Sequence, residues 1–216
     1  VERPEQQGKR GGNRHEYDTA GRRIADLSTP DGETVHRAST EYDSLGRVTR
    51  TVSAAGRDIR YHYQWVADIA GGRGGWRTTR TDPNGRTLID DRDPFGRPVR
   101  HVDLGGRQFD YRYDHAGQLA VQSGSSGQDI RYQYYGNGNL KSIDDHAVGS
   151  HTLYEYDAEG NKTFEGYTTL DSAGQRLFHQ YSEIEYDELN RPVRIHDPRF
   201  DIRYQYDPVG NRRRVH

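Results

Sequence analysis

The chain has 216 residues and a formal net charge of −2, from 31 basic and 33 acidic side chains, and contains neither cysteine nor methionine. Disulfides and thiolate metal sites are therefore excluded, no run reaches the roughly 18 apolar residues of a membrane span, and the balanced charge offers no attractive field to nucleic acid. Leu, Ile, Val and Phe supply about one residue in six, a level at which disorder becomes a serious reading. The 16 tyrosines and the near-neutral charge argue instead for an ordered chain with a thin interior. A tyrosine can bury its ring while its hydroxyl stays wet, so a single sheet wetted on both faces fits this composition.

Residues 1–14, which include RPEQQGKRGGNR, read as a flexible N-terminal joint. A start at Val1, with no initiator methionine, reads as a piece of a longer polypeptide whose targeting signals lie elsewhere. From residue 15 to 216 the chain reads as one repeat array. The stretch HEYDTAGRRI (15–24) returns as EYDSLGRVTR (41–50), YRYDHAGQLA (111–120), YEYDAEGNKT (154–163), IEYDELNRPV (184–193) and YQYDPVGNRR (204–213). Numbered by the aspartate slot, the copies fall at 18, 43, 82, 93, 114, 135, 157, 187 and 207, with a weaker copy at 171. The period is about twenty, and self-similarity in that range indicates a repeat architecture.

Between copies lies a second element, GRDIRYHYQ (56–64), GRQFDYRYD (106–114), GQDIRYQYY (127–135) and FDIRYQYD (200–207). Its β-branched and aromatic residues fall two apart, which is the strand period. Each unit thus reads as strand, tight turn, strand, with alternation resuming after the turn at Val48 and Arg50.

The aspartate starts an Asx-type turn, and the glycine three residues on takes the positive φ that other residues resist. The turn residues are Tyr17, Asp18 and Gly21; Tyr42, Asp43 and Gly46; Tyr113, Asp114 and Gly117; Tyr156, Asp157 and Gly160; Tyr186, Asp187 and Asn190; and Tyr206, Asp207 and Gly210. Asn190 stands in a glycine slot because asparagine tolerates the left-handed region. The glycine-rich segments 66–76 and 123–128 read as longer loops. No dozen residues keep a helical period, so the chain is read as all-β.

No catalytic, cofactor or metal constellation emerges. An aspartate before a turn glycine is committed to the turn, and one Asp-x-x-Gly turn supplies too few oxygens for calcium. The densest group of potential ligands, Asp144, Asp145, His146 and His151, reads as a solvated loop. Trp65 and Trp76, beside the glycine-rich segment, are the candidate glycan contacts, since an aromatic face can cover the apolar side of a sugar.

The tandem YDxxGR and YDxxGN units, from Tyr17 to Arg212, resemble the Rhs or YD-repeat family. Members include bacterial polymorphic toxins, the C component of Tc toxin complexes, wall-associated proteins and the teneurins. The resemblance implies antiparallel hairpin repeats in a curved or spiralling single-layer sheet, here part of a larger shell. It implies a non-enzymatic wall segment of a secreted or cell-surface bacterial protein that encapsulates or presents a C-terminal toxin cargo. The alternative is an adhesive or carbohydrate-binding scaffold. Implied partners are the remaining repeats of the parent polypeptide, an enclosed toxin cargo and glycans, with edge-to-edge self-association of the array, and without nucleic acid or a membrane span. The aspartate-containing autoprotease segment of toxin-bearing relatives has no match here.

Overall fold

The computed structural model describes residues 12–30, 32, 34–69 and 71–215. Residues 1–11 of the expected joint lie outside the described residues, and Asn13 and Arg14 are already in a strand. The described residues hold 18 strands and no helix. The chain divides into two units, residues 1–108 and 109–216.

The first unit carries β1 (Asn13–Tyr17), β2 (Arg23–Ser28), β3 (His36–Tyr42), β4 (Val48–Val52), β5 (Asp58–Val66), β6 (Gly75–Thr81), β7 (Thr87–Arg92) and β8 (Pro98–Val102). The second carries β9 (Gln108–Tyr113), β10 (Leu119–Gly124), β11 (Asp129–Tyr134), β12 (Leu140–Asp145), β13 (Ser150–Tyr156), β14 (Lys162–Leu170), β15 (Arg176–Tyr186), β16 (Pro192–Asp197), β17 (Phe200–Tyr206) and β18 (Arg212–Val215). Within each unit every strand pairs antiparallel with the next one in sequence, from β1–β2 to β7–β8 and from β9–β10 to β17–β18.

Among the described residues, strands touch only their sequence neighbours, so each unit is one layer thick. Ala25 and Ile69 are the only buried hydrophobic residues among those described. The scarcity of aliphatics follows: a sheet with no second layer has no apolar face to hide, and its stability rests on ladders, turns and side-chain pairs along its surfaces.

The strand after the Asp43 turn departs from simple alternation. Tyr42 pairs with Val48 but Glu41 pairs with Arg50, leaving Thr49 as an extra residue. This bulge puts Val48 and Arg50 on opposite faces although they are two residues apart. The same shift occurs at Tyr17, Tyr134, Tyr156, Tyr186 and Tyr206.

The uneven spacing of the aspartates also has a structural reason. Consecutive hairpins of an antiparallel strip turn at opposite borders, so Asp82, between β6 and β7, and Asp93, between β7 and β8, lie on different borders of the first unit. Asp171, between β14 and β15, likewise lies across from Asp157 and Asp187 in the second. The series read from sequence thus merges two borders. The segment 123–128 is not a longer loop: Gly124 N–H donates to the Gln128 carbonyl at 2.9 Å and Gly127 N–H to the Gly124 carbonyl at 3.0 Å, closing the same tight hairpin as the aspartate turns. Nor does the first glycine-rich segment fill 66–76, since Val66 ends β5 and Gly75 starts β6.

Candidate functional site

Each aspartate turn is a clamp assembled from one carboxylate. In the Asp43 hairpin, Asp43 N–H donates to the Arg47 carbonyl (2.9 Å) and Gly46 N–H to the Asp43 carbonyl (3.0 Å), with Gly46 at φ 80°. This is a three-residue loop with glycine in the left-handed position. Asp43 Oδ1 accepts the N–H groups of Leu45 and Arg47 at 2.9 Å each, and Oδ2 accepts Arg47 Nε at 2.7 Å. Asp18, Asp82, Asp93, Asp103 and Asp187 are bonded in the same way to their own turns and arginines. At Asp157 and Asp207 an asparagine side chain, Asn161 or Asn211, takes the arginine's place. Asn190 holds the left-handed slot of the Asp187 turn at φ 58°.

The electrostatic consequence is the same at Asp43 and at Asp93. The Arg47 N–H, then its guanidinium, holds the Asp43 carboxyl below the usual carboxylate range. At Asp93 burial pushes the carboxyl up, and the Arg97 guanidinium and N–H overcome that push, so it too is lowered. An aspartate in this state accepts several hydrogen bonds and has little basicity to offer a substrate. The arrangement suits a fixed turn better than general-base chemistry.

Successive turns are tied by tyrosines. Tyr42 Oη donates to the Arg23 carbonyl (3.0 Å), Tyr63 to Val48 (3.0 Å), Tyr134 to Leu119 (2.9 Å), Tyr186 to Lys162 (3.0 Å) and Tyr206 to Pro192 (2.8 Å). Every acceptor stands five residues after the aspartate of the preceding turn on that border. The turn arginine caps the same rings: Arg22 lies 4.9 Å over Tyr42, Arg47 4.5 Å over Tyr63 and Arg191 4.4 Å over Tyr206. Aspartate, arginine and tyrosine thus form one relay from hairpin to hairpin, each contact of modest strength.

Trp65 and Trp76 face each other across β5 and β6, with ring centroids 5.6 Å apart and planes at 82°. The two are 50% and 44% exposed, so both indoles present an accessible face. Arg47 lies 5.3 Å over the Trp76 ring. Trp65 packs closely on Gly74, where a Cβ would fall 2.5 Å from its ring, and the backbone at Gly75 passes so near Arg92 that a Cβ would fall 2.1 Å from its carbonyl oxygen. The adjoining turn anchors itself through buried Ile69.

The four candidate metal residues do different things. His151 Nδ1 bonds Asp144 Oδ1 across β12 and β13 at 2.6 Å, and Asp145 Oδ1 accepts the Ala147 N–H at 3.0 Å. His146 uses its backbone N–H on the Asp129 carbonyl at 2.8 Å. Among the described residues no three His, Asp or Glu side chains converge as a metal site. The Asn161 amide, in the sequence Asn-Lys-Thr, bonds both Asp157 and Asn190. No helix among the described residues is long and apolar enough to cross a membrane.

Opposite the tyrosine face run side-chain panels that the sequence reading overlooked. Arg50 bonds Glu41 on one neighbouring strand (3.1 Å) and, through two nitrogens, Asp58 on the other (3.0 and 3.1 Å). Arg194 repeats this with Glu185 (2.8 Å) and Asp201 (2.9 Å twice). The second unit also holds a cleft of about 720 Å³ lined by Glu155, Phe164, Glu183, Ile184, Glu185 and residues of the Asp157 and Asp187 turns. Aligning the copies on the turn aspartate and comparing the residues two before and seven after it is the signal that would have exposed these panels.

No protein-family model matches the sequence. The chain is similar to Teneurin-3 of Danio rerio, 28% identical over 124 residues, which is 56% of this chain and 4% of the relative. Its fold is similar to that of a chain in the TcdB2–TccC3–Cdc42 crystal structure, with TM-score 0.63 and 14% identity over 89% of this chain. It is similar also to a chain in a Photorhabdus luminescens Tc holotoxin pore with a mutated TccC3, with TM-score 0.64 and 15% identity over 91%. Each match spans 12% of the solved chain. These findings agree with the Rhs or YD-repeat resemblance in both sequence pattern and all-β hairpin fold.

Proposed function

We propose that the chain is a non-enzymatic wall segment of a secreted or cell-surface Rhs/YD-repeat protein of bacterial type, one arc of a β-shell that encloses or presents a toxin cargo. The observation that carries this reading is the pairing of a one-layer sheet with self-locking turns. Among the described residues strands touch only their sequence neighbours, which leaves both faces of each unit open, while the aspartate turns satisfy their own backbone and need no packed core. Such a strip can be lengthened without limit and can line a cavity on one side. The likeness to chains of Tc toxin complexes supports the shell, and the tyrosine, arginine and carboxylate surfaces supply many weak contacts for a cargo.

Protease digestion of the whole parent polypeptide tests the reading. Its terminal segment is expected to survive while the repeat array is intact and to be cut once the array is opened by denaturant. Cleavage of that segment at the same rate with the array folded would overturn it.

A second reading, an adhesive or carbohydrate-binding scaffold, is favoured by one observation, the half-exposed and mutually packed indoles of Trp65 and Trp76. Titration of oligosaccharides against tryptophan fluorescence separates it from the first. Saturable quenching that vanishes in Trp65→Ala with Trp76→Ala supports it, and unchanged emission removes it.

A further inference from the structure

In two repeats the glutamate two residues before the turn aspartate has a fixed partner, an arginine seven residues after that aspartate. Glu41 holds Arg50, and Glu185 holds Arg194. On its far side each arginine meets a second carboxylate, Asp58 or Asp201. In the Asp157 repeat the arginine slot is Phe164, paired with Glu155 on one side and Glu183 on the other. The slot of the second carboxylate is Tyr181, whose ring stacks on Phe164 with centroids 6.2 Å apart and planes at 17°. Two arginines and two carboxylates in the Arg50 panel, with Arg60 the second arginine, thus become two carboxylates and no cation. Neither Glu155 nor Glu183 has an ion pair among the described residues. The cleft opens over this spot, with Phe164 in its lining.

We propose that this cleft receives an arginine side chain from a partner protein, the guanidinium lying on the Phe164 ring between Glu155 and Glu183. The chain itself shows the chemistry twice, because Glu41 and Glu185 each bind a guanidinium at the same place in their repeats. Neighbouring strands are about 4.8 Å apart, so the two carboxylates flank the ring at equal spacing, and a planar fork of five donors can address both. The aromatic floor supplies a cation–π contact that a strongly hydrated ammonium makes less well. Gly166, in register with Tyr181, keeps the floor flat: a Cβ there would fall 2.7 Å from the Phe164 ring. The inference stands whether or not the chain encloses a cargo, since it needs only an arginine presented on an accessible segment.

The test titrates acetyl-Gly-Arg-Gly-amide into the protein and follows backbone amide resonances, with lysine and citrulline peptides as references. Saturable shifts confined to β13, β14 and β15 are expected. The arginine peptide should bind about tenfold more tightly than the citrulline peptide, with lysine between them. Phe164→Arg places the chain's own guanidinium in the slot and should abolish binding. The pair Glu155→Gln and Glu183→Gln should weaken binding comparably while the far-ultraviolet spectrum stays β, which keeps the test decisive if Phe164→Arg fails to fold. Equal binding of arginine and citrulline peptides, full binding by either variant, or no saturable shift at millimolar peptide would each overturn the proposal.

Discussion

Arg50 and Phe164 stand at the same place in two copies of one hairpin, seven residues after an aspartate whose turn is bonded alike in both. Around Arg50 the panel is ionic and internally neutral; around Phe164 it is aromatic at the centre and acidic at the rim. The turns barely differ: Asp43 and Asp157 both accept the N–H four residues on and the side chain of that same residue. The array thus separates two jobs. Backbone geometry is met by the aspartate, the glycine and the tyrosine, and the opposite face is left free to vary without loss of the hairpin.

Acid should break both regions together, because the shared turn fails first. Asp18, Asp43, Asp82, Asp93, Asp103, Asp157, Asp187 and Asp207 are all held below the usual carboxylate range by their turns. A carboxyl lowered in the folded state contributes stability that is complete above its unfolded pKa, about 3.9, and is lost as pH falls through the folded value. Circular dichroism should therefore show constant β structure from neutrality down to about pH 4 and progressive loss below it. Unchanged structure at the lowest pH would mean the turns do not depend on ionised aspartate.

A smaller effect isolates one turn. Asp93→Ala leaves the N–H groups of Phe95 and Arg97 without acceptors and should cost about 1–3 kcal/mol in urea denaturation. Asp93→Asn, which keeps an acceptor oxygen and loses only the charged pair with Arg97, should cost clearly less. Equal losses would assign the turn to charge alone.

Exchanging the two panel centres sharpens the contrast further. Arg50→Phe leaves Glu41 without its arginine and Asp58 with Arg60 alone, offers the new ring no aromatic partner across the strand, and should lower the unfolding midpoint modestly, since the pairs are partly exposed. Phe164→Arg forfeits a stack of about 0.5–1.5 kcal/mol but pairs Glu155 and Glu183, so its midpoint should stay close to that of the parent. If the reverse held, with Arg50→Phe silent and Phe164→Arg destabilising, the panels would not be interchangeable parts of one repeat.

The all-β hairpin architecture was legible because its requirements are local. Ile59, Tyr61 and Tyr63 announce a strand by alternation, and the turn chemistry lies within five consecutive residues. What the sequence hid depends on partners brought close by pairing. Thr49 looks like part of a regular alternation and is the bulge that reverses it, because only the register shows which residue has no opposite number. Asp82 and Asp93 look like neighbours in one series and lie on opposite borders. Glu155, Phe164 and Glu183 are scattered in sequence and meet only because three strands lie side by side.

The tyrosine relay bears on how such a chain folds. An all-β protein ordinarily pairs strands distant in sequence and folds slowly for that reason. Here the five phenolic bonds of the relay reach back 14 to 24 residues, and the bond from Asn161 to Asn190 closes 29. Loop-closure entropy is therefore incurred in small steps. At a synthesis rate of about 5–20 residues per second, a new pair of strands leaves the ribosome every few seconds and finds its docking edge already formed. Within each unit, assembly can proceed as a row of latches shut in order.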